Sequence, residues 1–525
     1  MRLSFKRLFR TLYDIFPILN RPMALCAAIS CAVVCFIYRH SDISVSLLVL
    51  FLLCAVVFCF LIRNRKIIII SILFLAICAS VVNELAMMSD LDKLDGMTLN
   101  AEFVAVEDCE VSEKVTRVTA YCVNTEGIPE NTKFIPYYFF KKEIKCGDRF
   151  SAYVKLTSLE DNEYKALKFG NSVYMDCKII KINEKYGENS FFAAVGKIRS
   201  YIKKTIGDNY SDEDTAVLTA LNTGDRSLLS DEFYSKVLTC GVSHVMVVSG
   251  LHISIIIGSI FLLIEKFFYN RYLKALTSLL LIFLICAVCG FTLSVLRAGC
   301  MFLFSAISPV FLRRNDSFNS LGSSVLLLVF ISPLCVLSVA FWLSVLSTAA
   351  VVWVAPFYSE LFIQKLKIKN VVFKTLISIL TVSVSAMLFT APVSLTVFGY
   401  ISLISPFAFL LLTYPVTFAL TFNSSGLFLS SVGGLSFVSK PLFFVAGLCA
   451  KYIRNIIDNL GLLDFLCVYS NTGIFTIFVL LAAFLVLIMY LYKYRIKLLK
   501  EKYLSEVYVR ANNNRKRVKR RAEQR

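Results

Sequence analysis

From Val245 to Tyr492 the chain is almost unbroken hydrophobic sequence. Its apolar runs approach or exceed the roughly 18 to 20 residues that carry a helix across a bilayer. Lipid offers the backbone no hydrogen-bond partner, so runs of this kind fold as helices that satisfy themselves. A soluble chain of 525 residues has length enough for a large core but needs a charged coat over it. Here 57% of residues are hydrophobic and only 17% charged, and the mean hydropathy is +0.71. The first apolar stretch begins after Arg21 and Pro22 and is followed at once by another, so it reads as a retained span, not a cleaved signal peptide.

Apolar segments near 22–38, 43–62 and 67–85 come first. Nine more lie near 245–264, 275–291, 293–312, 317–332, 335–356, 371–390, 402–421, 425–448 and 474–492. Basic clusters fall on alternate loops: Lys6/Arg7/Arg10/Arg21, Arg63/Arg65/Lys66, Lys266/Arg271/Lys274, Arg313/Arg314 and Lys365/Lys367/Lys369/Lys374. The pattern predicts about twelve spans in the cytoplasmic membrane with both termini inside. The weakest is 425–448, whose Gly433-Gly434 and Lys440-Pro441 also suit a re-entrant segment. Pro333, Pro392, Pro406 and Pro415 predict broken helices around a polar cavity. The tail after Tyr492 carries about ten units of net positive charge against Glu501, Glu506 and Glu523. It reads as a cytoplasmic anchor, with anionic lipid or nucleic acid as the other contacts such a tail can make.

Residues 89–190 differ in kind. Polar and apolar residues alternate in AEFVAVEDC (101–109), VTRVTAYCV (115–123), RFSAYVKL (149–156) and SVYMDCKIIKI (172–182), the period of β-strands. About five short strands predict a small OB-like barrel, outside the cell because it follows the third span. Of the 17 cysteines, Cys109, Cys122, Cys146 and Cys177 fall here. Cys109 and Cys122 flank an expected hairpin and form a candidate disulfide, although four cysteines allow three pairings. Cys286 and Cys289 alone have CxxC spacing, and they lie within an apolar span, where cysteine is usually a small hydrophobe. Residues 191–240 read as amphipathic surface helices, with Ser211 opening one and Ser230 capping another. The expected fold is thus a polytopic α-helical membrane protein with an inserted extracytoplasmic β-domain. It divides into spans (1–88), an OB-like domain (89–190), surface helices (191–240), a transmembrane core (241–492) and a basic tail (493–525).

The most distinctive stretch is 217–258, VLTALNTGDRSLLSDEFYSKVLTCGVSHVMVVSGLHISIIIG. It resembles the "ALxxGDRxxL" and "GxSHLxxxSGLH" signatures of the ComEC family of competence DNA-uptake channels. GFTLSVLRAGCM (290–301) is similar to that family's "GxxxSxxRAxxM", and the segments at 313–322, 331–352 and 385–406 follow in the family's order. The resemblance covers about 210–420, and the spans and OB-like insert match the family layout. It implies transfer of single-stranded DNA across the membrane. It also implies a DNA receptor, a cytoplasmic helicase-like motor, a separate nuclease and possible self-association as partners, alongside membrane lipid. Two departures stand out. Phe409 occupies a position that is usually Asn in the family, and the chain is expected to be a form without the metallo-β-lactamase-like domain that many members carry. His40, His244 and His252 are the only histidines, too few for a dinuclear hydrolase site.

On this reading Asp225, Arg226, His244, Ser249, His252 and Arg297 line the DNA path. Apart from Lys374 at the edge of its span and Lys440 in the weakest one, Arg297 is the one charge within a span of the second half. A buried charge is expensive and belongs at a cavity or partner, although a position one turn inside the span also suits snorkelling. His244 and His252, eight residues apart, suit either path lining or a structural role in the bundle. Ser249 one turn before His252 leaves a serine–histidine nucleophile conceivable, with no acidic orienter in view. In FIPYYFFKKEIK (134–145), Tyr137, Tyr138, Lys141, Lys142 and Lys145 suit either contact with a single strand or a strand with core aromatics. No cofactor, metal site or catalytic residue is expected. A transporter or scaffold for a non-DNA substrate is the alternative from another class, and a membrane hydrolase the third. The purified chain, given Mg²⁺ or Zn²⁺, is expected to leave labelled DNA intact. Cleavage that disappears in a point variant of the chain would overturn that expectation.

Overall fold

The computed structural model describes residues 22–39, 65–111, 115–123, 125, 127–139, 143–159, 163–246, 248–264, 270–308, 310–311, 316–431, 436–469 and 473–492. Helices α1 (Pro22–Arg39) and α2 (Arg65–Asp92) come first. The expected span 43–62 lies outside the described residues. α2 runs past the expected end of its span to a turn at 93–96, and the sheet begins directly after it.

Eight strands follow: β1 (Thr98–Ala105), β2 (Glu110–Val111), β3 (Thr116–Arg117), β4 (Ala120–Cys122), β5 (Lys133–Phe134), β6 (Tyr137–Tyr138), β7 (Asp148–Ser158) and β8 (Met175–Glu188). Helix α3 (Glu163–Gly170) joins the last two. The strand order is β2-β3-β6-β8-β7-β1-β4-β5. Where five short strands were expected, β7 and β8 are long and their antiparallel register slips at three places. Such irregularities bend and twist a strand pair, and the sheet curls into a half-barrel with β2 and β5 at its edges. Along β7, Phe150, Ala152, Val154 and Leu156 point inward while Tyr153 and Lys155 point out, the strict alternation of a half-buried strand. Inside, Phe103 stacks on Phe150 at 5.5 Å and meets Phe134 edge-on at 6.1 Å.

The candidate Cys109–Cys122 disulfide is absent, and both thiols are free. The register explains it. Glu110 pairs with Arg117, which carries position 109 toward 118, while Cys122 sits opposite Phe103. Cys122 is buried in the sheet core and donates to Thr125 Oγ1 at 3.2 Å. Cys146 is also buried, its thiol on Val106 O at 2.9 Å, and burial pushes that thiol up to about 11.

Three helices lead from the sheet to the helical body: α4 (Ser190–Asn209), α5 (Asp212–Thr223) and α6 (Asp231–Thr239). Asn189 caps α4, and Ser230 caps α6 by accepting from Phe233 N at 3.2 Å. α5 departs from the surface helix expected there, because Asp214 to Thr223 are all buried. Arg199 of α4 joins sheet to body. Its guanidinium donates to Val288 O at 2.7 Å, Ala287 O at 3.1 Å and Val106 O at 3.3 Å. Glu84 of α2 makes a second junction, accepting from the Tyr174 hydroxyl and from Leu334 N at 3.2 Å.

The body continues with α7 (Ser243–Met246), α8 (Gly250–Ile264), α9 (Arg271–Val288), α10 (Leu293–Ile307) and α11 (Ser317–Ile331). Then come α12 (Val339–Lys365), α13 (Val371–Val397), α14 (Ser405–Ser431), α15 (Ser436–Leu460) and α16 (Gly473–Tyr492). Among the described residues α12, α13, α14 and α16 are long and apolar enough to cross a membrane. The proline positions differ from expectation: α13 and α14 run unbroken through Pro392 and Pro415, Pro406 lies in the first turn of α14, and Pro333 opens a 3₁₀ turn.

The expected break between spans 402–421 and 425–448 is also absent. α14 passes through it because Asn423 and Ser424 are not loop residues: they are buried and bonded to Tyr210 and Asn222. α15 is instead amphipathic, tied to α5 by Arg454–Asp214 at 3.4 Å and to α6 by Lys236–Asp458 at 3.1 Å. Elsewhere small residues set the closest approaches. A Cβ on Gly322 of α11 would lie 2.4 Å from the backbone N of Ala24 in α1. Gly322→Ala is therefore expected to destabilise the detergent-solubilised protein by about 1–3 kcal/mol, read as a lower unfolding temperature. An unchanged melt would show that the two helices do not pack at that contact.

Candidate functional site

The segment that the sequence singled out begins where α5 ends. Gly224 closes the helix in the left-handed region (φ +81°), and a Cβ there would lie 3.1 Å from Val248 Cγ2. Conformation and space both call for glycine. Asp225 follows, with Oδ1 accepting from Ser227 N at 2.9 Å and Oδ2 paired with Lys203 of α4. Burial pushes this carboxyl up, but the Lys203 ammonium and the Ser227 N–H outweigh it and hold the group below the ordinary carboxylate range. Arg226 is exposed, donates to the Tyr234 hydroxyl at 2.7 Å and lies 5.5 Å over that ring.

Ser249 sits at the head of α8, and its hydroxyl accepts weakly from His252 N at 3.5 Å, the position of an N-cap. The serine is thus turned to the helix backbone. His252 is only 2% exposed, and its Nδ1 has no hydrogen-bond partner among the described residues. His244, on α7, is exposed, its ring 5.8 Å from Phe409 and tilted 32° to it. Phe409, the position where the chain departs from its resemblance, is therefore in contact with a candidate path residue.

Arg297 lies one turn into α10 and is 5% exposed, so it does not snorkel. Its Nε donates to Ser344 Oγ at 2.8 Å, and Nη1 to Thr348 Oγ1 at 2.7 Å and Met301 Sδ at 3.3 Å. A Cβ on Gly250 would lie 3.2 Å from Ala298 Cβ and 3.4 Å from Nη2, so this glycine lets α8 approach α10 closely beside the guanidinium. No carboxylate pairs with Arg297 among the described residues. A guanidinium held only by neutral groups keeps an uncompensated positive charge in a low-dielectric setting, where it attracts an anion strongly.

The structure thus gathers Ser249-Gly250, His252 and Arg297 at the start of α8 and α10, while Lys203 and Tyr234 engage Asp225 and Arg226. Sequence reasoning missed Ser344 and Thr348, plain hydroxyls in apolar sequence, and Lys203 on a separate helix. It also missed a buried polar contact between α5 and α14. Ser424 donates to Asn222 Oδ1 at 3.2 Å, and Tyr210 to Asn423 Oδ1 at 3.0 Å. Asn423 Nδ2 and Thr219 Oγ1 lack a partner among the described residues. The signal available was the run TFNSSG inside an apolar stretch. In the sheet, Tyr138 is wholly buried in the core, which removes it as a base-stacking residue. Tyr137 is half-buried and Lys145 exposed, while Lys141 and Lys142 lie outside the described residues. No group of three His, Cys, Asp or Glu could hold a metal ion among the described residues.

A mostly helical body with four helices long and apolar enough to cross a membrane, joined to a curled sheet and holding a buried arginine, has the character of a membrane protein. A family model for competence proteins matches residues 221–494, more than half of the chain, and the chain belongs to that family. It is similar to ComE operon protein 3 of Bacillus subtilis (strain 168), 23% identical over 304 residues, which are 58% of this chain and 37% of that relative. The chain thus matches well under half of that relative's length. No solved structure matches it.

The Asp225–Lys203 pair makes stability depend on acid. A carboxyl whose folded value lies below its unfolded one, about 3.9, contributes stability that is present above that value and lost as pH falls through the folded value. Melting followed from pH 5 to pH 3 should show a loss that Asp225→Asn and Lys203→Met both reduce. An identical acid limb in all three proteins would mean the pair does not contribute.

Proposed function

We propose that this chain is a channel that passes single-stranded DNA across the cytoplasmic membrane in natural transformation. It crosses the membrane several times, with the OB-like domain outside, where it receives the strand. Family membership and the similarity to a ComE operon protein support the role in competence. The observation that carries the channel reading is Arg297: buried in the family region, bonded only to Ser344, Thr348 and Met301, and facing the glycine of the SGLH motif. A polyanion crossing a bilayer needs donors that release it again, and an arginine without a fixed carboxylate partner offers both. Arg226, His244, Ser249 and His252 extend the polar path, with Asp225 fixing the loop at its mouth.

The chain itself performs no covalent chemistry on this reading. A DNA receptor delivers the strand, a separate nuclease generates it, and a cytoplasmic helicase-like motor supplies energy. A homo-oligomer is compatible with this arrangement, and lipid surrounds it. One observation favours the second reading, a transporter or scaffold acting on a non-DNA substrate: Phe409 places an apolar ring on His244.

Arg297→Ala is expected to cut transformation at least about tenfold, the effect of about 1.4 kcal/mol, with protein level and external DNA binding unchanged. Arg297→Lys should fall between, since it keeps the charge but loses the planar fork. His252→Ala should lower uptake if the ring lines the path and protein level if it holds the bundle. Normal transformation by Arg297→Ala at normal expression would remove the support for a polar path and favour the non-DNA reading.

A further inference from the structure

The outward face of the sheet carries a charge arrangement that its own fold does not need. Lys155 of β7 stands directly opposite Lys178 of β8, and both side chains are exposed. Like charges directly across an antiparallel pair destabilise it. Lys181, also exposed, lies opposite Tyr153 on the same two strands. None of these three lysines forms an ion pair among the described residues. The acidic groups nearby in sequence are engaged elsewhere. Asp176 pairs with Lys168, Asp148 pairs with Lys185, and Asp95, within electrostatic reach of Lys155, accepts from Ser158 N at 2.6 Å. Glu184 and Glu188 lie farther along β8, opposite Ser151 and Asp148.

Aromatic rings border the same lysines. Tyr137 of β6 pairs in register with Lys178. Phe139, just after it, is 61% exposed, meets Tyr137 edge-on at 5.9 Å and carries Lys178 Nζ 5.3 Å from its ring centre. Tyr153 is exposed too, anchored by its hydroxyl to Thr98 Oγ1 at 3.1 Å. A phenyl ring held in water against a lysine has one face free to stack. Unpaired lysines at adjacent positions supply contacts for a backbone of phosphates.

We infer that Tyr137, Phe139, Tyr153, Lys155, Lys178 and Lys181 form a contact surface for single-stranded DNA. The surface rests on the reading of DNA as the substrate and extends its outer contact from the segment 134–145 onto the face of β7 and β8. Stacking on Phe139 requires an unpaired base, which a duplex does not offer and a single strand does. The lysine pair that opposes folding when empty is neutralised when a strand lies across it.

The test uses the full chain in nanodiscs of neutral lipid, with fluorescein-labelled oligothymidylate followed by anisotropy across a salt series. The double variant Lys155→Ala/Lys178→Ala should bind at least about tenfold more weakly and lower the salt slope by about 1.4, two phosphates' worth for a single strand. Phe139→Ala should weaken oligothymidylate but leave an abasic strand of equal length unaffected. Lys178→Glu should raise the melting temperature, by creating an opposite-charge pair with Lys155, while weakening DNA binding. That outcome separates binding from folding. Equal binding of abasic and thymidylate strands, wild-type affinity in the lysine variants, or binding of the wild type to anionic vesicles and not to oligothymidylate would overturn the inference. If Arg297→Ala transforms normally while the surface variants lose binding, the path through the body fails and this surface stands.

Discussion

Arg199 holds the two parts of this molecule in register. The last carbonyls of a helix have no partner within it, and those of Ala287 and Val288 at the end of α9 receive the guanidinium instead. The remaining nitrogen reaches Val106 O, where β1 leaves the sheet. One side chain therefore terminates a body helix and fixes the sheet above it. Gly290, in the left-handed region (φ +75°), turns the chain directly after this junction, beside Glu107 and Arg199. From there the chain enters α10, the helix that carries Arg297. The position of the buried arginine is thus set by the same turn that seats the sheet.

Sequence reading reached what depends on pattern. Alternation exposed the sheet, hydropathy exposed the helices, and Ser230 and Gly224 announced a helix start and a helix end through well-understood local chemistry. It failed where tertiary partners override local character. Asn423 and Ser424 look like a loop and lie in mid-helix because Tyr210 and Asn222, two hundred residues earlier, answer them. The acidic start of α5 suggests a wet surface, yet the helix is buried because α14 and α15 pack beside it and Arg454 meets Asp214. Cys109 and Cys122 appear to face each other until the register between Glu110 and Arg117 is known. Of the candidate site, Arg297 was legible as a rare charge. Its hydroxyl partners were not, since Ser344 and Thr348 are ordinary residues in apolar sequence.

The two arginines show opposite uses of one side chain. Arg199 spends its donors on fixed carbonyls and behaves as a strut. Arg297 is met by two hydroxyls and a thioether, groups that can reorient and that carry no charge, so its field is left open. The sheet surface extends the contrast, with lysines held close to one another and in no ion pair among the described residues. Uncompensated positive charge therefore occurs at both levels of the molecule, on the sheet and within the helices.

The unused donor of Asn423 and the unpartnered hydroxyl of Thr219 bear on how the body can open. An apolar helix interface resists separation because water gains nothing by entering. Between α5 and α14 water would gain hydrogen bonds that the closed state withholds, so wetting that seam costs less than its burial suggests. Gly224, at the end of α5, already supplies a backbone that tolerates unusual dihedrals. At the seam between α5 and α14, accordingly, hydration and helix movement are energetically linked.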